Sequence, residues 1–176
     1  MMRLLIVWLS VALFSPFAGA YAEPALRHTI ILKVDPVKAT VHFTDTVAYS
    51  GLSPKVEVAP WLDVQSAPNG ANGLTIIANG TLPADNDTAF TRDGWVYLPG
   101  PSWAPYLGGD ASYRVTVEVP APFRAIVTGR LENEELTNDV NRATFIIENA
   151  TELPSVFIGP YIVNERMSGG VRLRTY

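Results

Sequence analysis

Hydrophobic and polar residues alternate along most of the chain. From Leu26 to Val34, Ile30, Leu32 and Val34 alternate with Thr29, Ile31 and Lys33. From Ala39 to Tyr49, Val41, Phe43 and Val47 fall on one face. Ser112 to Val119 alternates strictly, with Tyr113, Val115, Val117 and Val119 set against Ser112, Arg114, Thr116 and Glu118. Arg142 to Glu148 repeats the pattern through Ala143, Phe145 and Ile147, and Val171 to Tyr176 carries it to the last residue. A period of two places one face of a strand in a core and the other in water.

Shorter strands are predicted at Lys55 to Leu62, Leu74 to Ala78, Trp95 to Leu98 and Val156 to Val163, the last interrupted by Gly159-Pro160. Pro120-Ala121-Pro122 predicts a turn, and Phe123 to Leu131 a second strand that closes a hairpin with Ser112–Val119. Asp63 to Asn72 reads as a bend, Asn79 to Thr91 as the most mobile loop, and Glu132 to Asn141 as an acidic connection. The most helical stretch, Glu132 to Asn138, is too short to matter. About nine or ten short strands with closely spaced turn signals predict an all-β fold, an antiparallel β-sandwich or saddle-like sheet. No repeat, low-complexity tract or long linker divides it, so residues 23–176 are expected to form a single β-domain. The strand pattern running straight into Tyr176 suggests that more chain follows.

The first 22 residues read differently. Met1-Met2-Arg3 is a short basic start, Leu4 to Phe14 an apolar run too short to span a bilayer comfortably, and Ala20-Tyr21-Ala22 a signal-peptidase site. The expectation is a cleaved signal peptide, a secreted or periplasmic protein, and no stable membrane anchor after cleavage. The sequence holds no cysteine, which excludes disulfides and lipid attachment through an N-terminal cysteine. Losing Arg3 with the signal takes the formal charge from −4 to −5. A mildly acidic domain has no electrostatic reason to bind nucleic acid.

Candidate chemistry is sparse. His28 and His42 lie on separate predicted strands, without the further ligands that zinc needs, so both are expected in structural or surface roles. No G-x-S-x-G motif is present. Glu132, Glu134, Glu135 and Asp139 lack the spacing and central glycine of a calcium loop and read as a solvated turn. Asn79-Gly-Thr81, Asn86-Asp-Thr88 and Asn149-Ala-Thr151 match the glycosylation pattern, which matters only on a eukaryotic secretory route. The remaining candidates are the aromatics Trp95, Tyr97, Trp103 and Tyr106. They fit three roles: a stacking platform for sugar or peptide, a plug closing one end of a sandwich, or an interface with another domain. The last two are favoured.

The order of several segments resembles the N-terminal β-domain of M1-type (gluzincin) zinc aminopeptidases, in their bacterial secreted branch. The segments are Trp103-Ala-Pro105, Tyr113-Arg-Val-Thr-Val-Glu-Val-Pro120, Ala125-Ile-Val-Thr-Gly129-Arg-Leu131, Phe157-Ile-Gly-Pro-Tyr-Ile-Val163 and Gly170-Val-Arg-Leu-Arg-Thr-Tyr176, with His28–Pro36 and Asp45-Thr-Val47 at the start. The resemblance covers most of residues 23–176. It implies a non-catalytic domain that packs against a zinc-bearing catalytic domain, in cis or in trans, and walls its cleft. The family's Gly-x-Met-Glu-Asn strand and H-E-x-x-H site are absent from these residues, so no catalytic, cofactor or metal residue is carried over and no cofactor is expected in this chain. The stretch Thr91 to Pro99 offers no glutamine or glutamate to hold a substrate amino group, and the family's Phe-Pro-Cys-x-Asp-Glu-Pro run is replaced. The alternative is a free-standing secreted β-sandwich that binds sugar or peptide through its aromatic loop. An enzyme acting alone would need a catalytic set that the sequence does not offer.

Overall fold

A computed structural model describes residues 26–51, 54–84, 89–150 and 152–176. The expected signal peptide and the Asn86–Thr88 sequon lie outside the described residues, as does Thr151 of a second sequon. The described fold is nearly all strand. Among these residues no helix is long and apolar enough to cross a membrane.

Seven strands form the large sheet: β1 (Leu26–Asp35), β2 (Thr40–Tyr49), β3 (Leu62–Pro68), β4 (Gly73–Thr81), β7 (Ala111–Pro120), β9 (Arg130–Leu136) and β10 (Val140–Ala150). Their order is β3-β4-β2-β1-β7-β10-β9. Four more, β5 (Phe90–Arg92), β6 (Trp95–Leu98), β8 (Arg124–Val127) and β11 (Val156–Gly159), form a smaller sheet in the order β5-β6-β11-β8. A separate hairpin pairs β12 (Asn164–Ser168) with β13 (Val171–Thr175).

The alternation read from the sequence sets the core. Ile30, Leu32, Val34, Val41, Phe43, Val47, Val115, Val117 and Phe145 are buried on the inner face of the large sheet. Val96, Leu98, Ala125, Val127, Val156 and Ile158 join the same cluster from the small sheet. The two sheets thus form a sandwich over one core, which a period-two pattern with one apolar face requires.

Several expectations are corrected. The sheet is mixed rather than antiparallel, because β1 pairs β7 in parallel from Leu26↔Ala111 to Lys33↔Glu118. The expected hairpin of Ser112–Val119 with Phe123–Leu131 does not form. Both edges of β7 are taken, by β1 and by β10, so the chain turns at Pro120–Pro122 and crosses to the small sheet as β8. The second expected strand then splits at Gly129, whose φ of +128° favours glycine. A Cβ there would lie 2.5 Å from Ile147 Cγ1.

The expected bend at Asp63–Asn72 is mostly strand β3, which pairs β4 at the sheet edge. Beyond Leu62 its side chains are half-buried or exposed, so it carries no alternating signal. Lys55–Leu62 contributes only a single bridge, Glu57↔Tyr106, before β3 begins. The expected loop Asn79–Thr91 begins as the end of β4 and ends inside β5.

The acidic connection Glu132–Asn141 is largely strand as well. Arginines of β7, β8, β10 and β13 balance its charge: Arg114 pairs with Glu132, Arg124 and Arg174 with Glu134, and Arg142 with Glu135. Arg142 and Glu135 are directly opposed on β10 and β9, where opposite charges support a sheet.

Candidate functional site

The four aromatics singled out by the sequence do not meet at one place. Trp103 is a core residue with 0% exposure. Its indole meets Phe43 edge-on with centroids 5.9 Å apart, and its Nε1–H donates to the Pro154 carbonyl at 2.8 Å. It is thus part of the core rather than of an exposed aromatic surface. Tyr106, 49% exposed, lies on the far side of the same loop and pairs its backbone with Glu57.

Trp95 and Tyr97 sit elsewhere, on the outer face of the small sheet. Odd positions of β6 point outward there while Val96 and Leu98 point in. Tyr97 lies opposite Phe90 on one side and Phe157 on the other, and Phe157 lies opposite Ile126. The result is one apolar row across four strands. Tyr97 and Phe157 stack at 4.8 Å, and Phe90 adjoins Tyr97 at 5.8 Å. Beside the row, Trp95 rests flat over Gly159, where a Cβ would come within 2.3 Å of the indole. Tyr161 meets Trp95 edge-on at 5.1 Å, Tyr176 meets Tyr161 at 5.8 Å, and Arg174 caps the Tyr176 ring at 5.1 Å. Burial raises the Tyr161 phenol above its ordinary value, which keeps it neutral.

Sequence reasoning missed Phe90, Phe157, Tyr161 and Tyr176 as members of this surface. For Phe157 the available signal was parity: it stands between buried Val156 and Ile158, so on a strand it must face out. The β12–β13 hairpin borders the surface. Arg174 pairs with Glu134, and Arg172 Nη2 donates to the Leu131 carbonyl at 3.4 Å. Met167, Val171 and Leu173 of the hairpin are exposed.

Under the Trp103 loop lies a groove of about 870 Å³, lined by Trp61, Pro60, Pro99, Pro101, Tyr106 and Leu153 among others. Its floor is fixed by backbone contact: a Cβ on Gly100 would lie 2.2 Å from the Leu153 carbonyl oxygen. Gly100→Ala is therefore expected to destabilise the fold by about 1–3 kcal/mol, the usual cost of overpacking. The check is the urea midpoint, and an unchanged midpoint would show that the two loops part freely.

One polar pair is buried. His28 Nδ1 lies 2.6 Å from Asp45 Oδ2, with side-chain exposures of 1% and 0%. The His28 ring stacks on Tyr113 at 4.6 Å. Burial raises the Asp45 carboxyl, with the His28 contact pulling the other way. Tyr113 is pushed up to about 12 by burial and then by the nearby Asp45 and Tyr106. His42 instead faces outward from the large sheet and bonds Asn79 Oδ1 at 2.6 Å. Both histidines thus serve structure. That bond also engages the asparagine of the first sequon.

Among the described residues no three His, Cys, Asp or Glu side chains come together to hold a metal ion.

No family model matches the chain, and no curated protein matches it. Solved structures do share its fold. An M1 zinc metallopeptidase mutant from Deinococcus radiodurans bound to a Tyr-Ser-Ala substrate aligns with a TM-score of 0.60 at 16% identity, over 85% of this chain and 46% of that one. The M1 zinc metallopeptidase from Deinococcus radiodurans aligns with a TM-score of 0.55 at 18% identity, over 82% and 44%. A two-domain M1 zinc metallopeptidase mutant bound to L-arginine gives 0.53 at 17%, over 85% and 46%. The chain therefore has the fold of one part of these metallopeptidases and spans less than half of their length.

Proposed function

We propose that the chain is an exported, non-catalytic β-domain that docks a metallopeptidase-type catalytic domain, in cis or in trans, and walls one side of its cleft. The observation that carries this reading is the outward row Phe90–Tyr97–Phe157–Ile126, flanked by Trp95, Tyr161 and Tyr176. Aromatic surface of this kind is what interfaces are enriched in, and soluble monomers rarely leave a large patch of it bare. Tyr176, which follows the β12–β13 hairpin, joins this surface through Tyr161. The fold likeness to less than half of two-domain enzymes supports a second domain as the partner.

Two measurements test this. The purified chain is expected to leave an aminoacyl-p-nitroanilide intact; hydrolysis abolished by a chelator would overturn the non-catalytic part. Sedimentation of the lone chain is expected to show concentration-dependent self-association through the unpartnered face. The Tyr97→Ser/Phe157→Ser variant should relieve it. If the variant sediments as the parent does, the docking face lies elsewhere.

A further inference from the structure

The groove beside Tyr106 has features of a binding site that the docking surface lacks. Its volume lies within the range of ligand pockets. It is held rigid before any ligand arrives. Trp61 Nε1–H donates to the Ser102 carbonyl at 2.9 Å, and Glu57 and Tyr106 exchange backbone hydrogen bonds of 3.0 and 2.8 Å. Gly100 N–H donates to Ser155 Oγ at 3.3 Å, which ties the two lining loops together.

Its chemistry is one-sided. Two carboxylates, Glu57 and Glu152, line it, and among the described residues no lysine, arginine or histidine does. Glu57 is engaged by Lys55 at 2.9 Å on the exposed rim. Glu152 is exposed, with no ion pair among the described residues. Aromatic faces beside a free carboxylate attract a cation, and a guanidinium gains most because it can both stack and donate two hydrogen bonds. Trp61 and Tyr106 line the groove alongside Pro60, Pro99 and Pro101, and an aromatic-lined groove is the kind of surface that accepts an extended polyproline-II segment.

We propose that this groove binds an extended, proline-containing peptide segment of a partner through an arginine or lysine that pairs with Glu152. Trp61 and Tyr106 pack against the neighbouring residues of that segment, and the rigid floor lowers the ordering cost of binding. The inference does not rest on the docking reading. No residue of the outward aromatic row lines the groove, and the test needs no second domain.

The probe is an acetylated, amidated Pro-Pro-Arg-Pro-Pro-Arg peptide titrated into the ¹⁵N-labelled chain. The Trp61 indole N–H and the backbone amides of Glu57, Gly100 and Tyr106 are expected to shift together and saturate. Glu152→Gln is expected to weaken binding about tenfold, the effect of losing one charge-assisted hydrogen bond. A peptide with citrulline in place of arginine should lose as much. Because Glu152 is exposed, the variant should fold as the parent does, which its unperturbed spectrum would verify. No shift at millimolar peptide, or equal affinity for the citrulline peptide, would overturn the proposal. So would equal affinity for the Glu152→Gln chain, or the same shifts with maltohexaose.

Discussion

Replacing Trp103 by alanine is expected to cost about 3–5 kcal/mol of stability, the range for truncating a buried large aromatic. Three losses coincide at this position. The side chain is fully buried, so its removal leaves a cavity in the core. The edge-on contact with Phe43 goes with it. The Pro154 carbonyl, which accepts the indole N–H at 2.8 Å, is left without that donor. An orphaned buried acceptor costs about 1–3 kcal/mol by itself. Trp103→Phe keeps much of the apolar contact and loses the donor, so it should fall between parent and alanine. Urea denaturation followed by far-ultraviolet circular dichroism reads both. A loss below about 1 kcal/mol for the alanine variant would mean that the loop collapses to fill the space and that Trp103 does not anchor the core.

His28→Ala is expected to be of similar size, about 3–5 kcal/mol, because it leaves a buried carboxylate without its partner. Asp45 lies on the inner face of β2 between Phe43 and Val47, with Ile30 of β1 and Ile76 of β4 opposite it. The titratable groups that face this pair are His28 itself and Tyr113, with Tyr106 beyond. Replacing both partners by leucine should recover much of the loss, since an apolar pair leaves no charge unpaired.

The deficit should also depend on pH in a fixed direction. Burial raises the Asp45 carboxyl above its ordinary value of 3.8. A carboxyl raised on folding holds its proton more tightly in the folded chain than in the unfolded one. Its contribution is therefore fully present below 3.8 and is lost as pH rises through the folded pKa. Without His28 the opposing pull is gone. The deficit of His28→Ala relative to the parent should be smallest in acid and grow as pH rises through that window. Urea midpoints for both proteins across a pH series check it. A deficit that stays constant, or grows in acid, would remove Asp45 as the cause.

The outward aromatic row and the groove were only partly legible in the sequence. Trp95 and Tyr97 were found because they cluster in sequence. Phe90 and Phe157 were not, since strands β5, β6 and β11 are brought together only by sheet pairing. Trp61 and Glu152 meet Tyr106 in one groove although they are far apart in the chain. Asp45 was hidden for another reason: it falls on the buried parity of an alternating strand, and a pattern rule counts it as a break rather than as half of a pair.

The sequence by itself determined that this protein is all-β and which residues face its core. That information is local, because side-chain direction alternates with every residue. The tertiary structure alone decided which strands are neighbours. The same alternating segment β7 is compatible with a hairpin partner, a parallel partner or both edges filled, and only the competition among all strands for those edges settled it. That competition sent β8 to the second sheet, made β1 and β7 parallel, turned an acidic connection into strand β9, and set Tyr97 beside Phe157. Hydrogen-bond partners along a sheet edge are chosen globally, so no local pattern could reveal them.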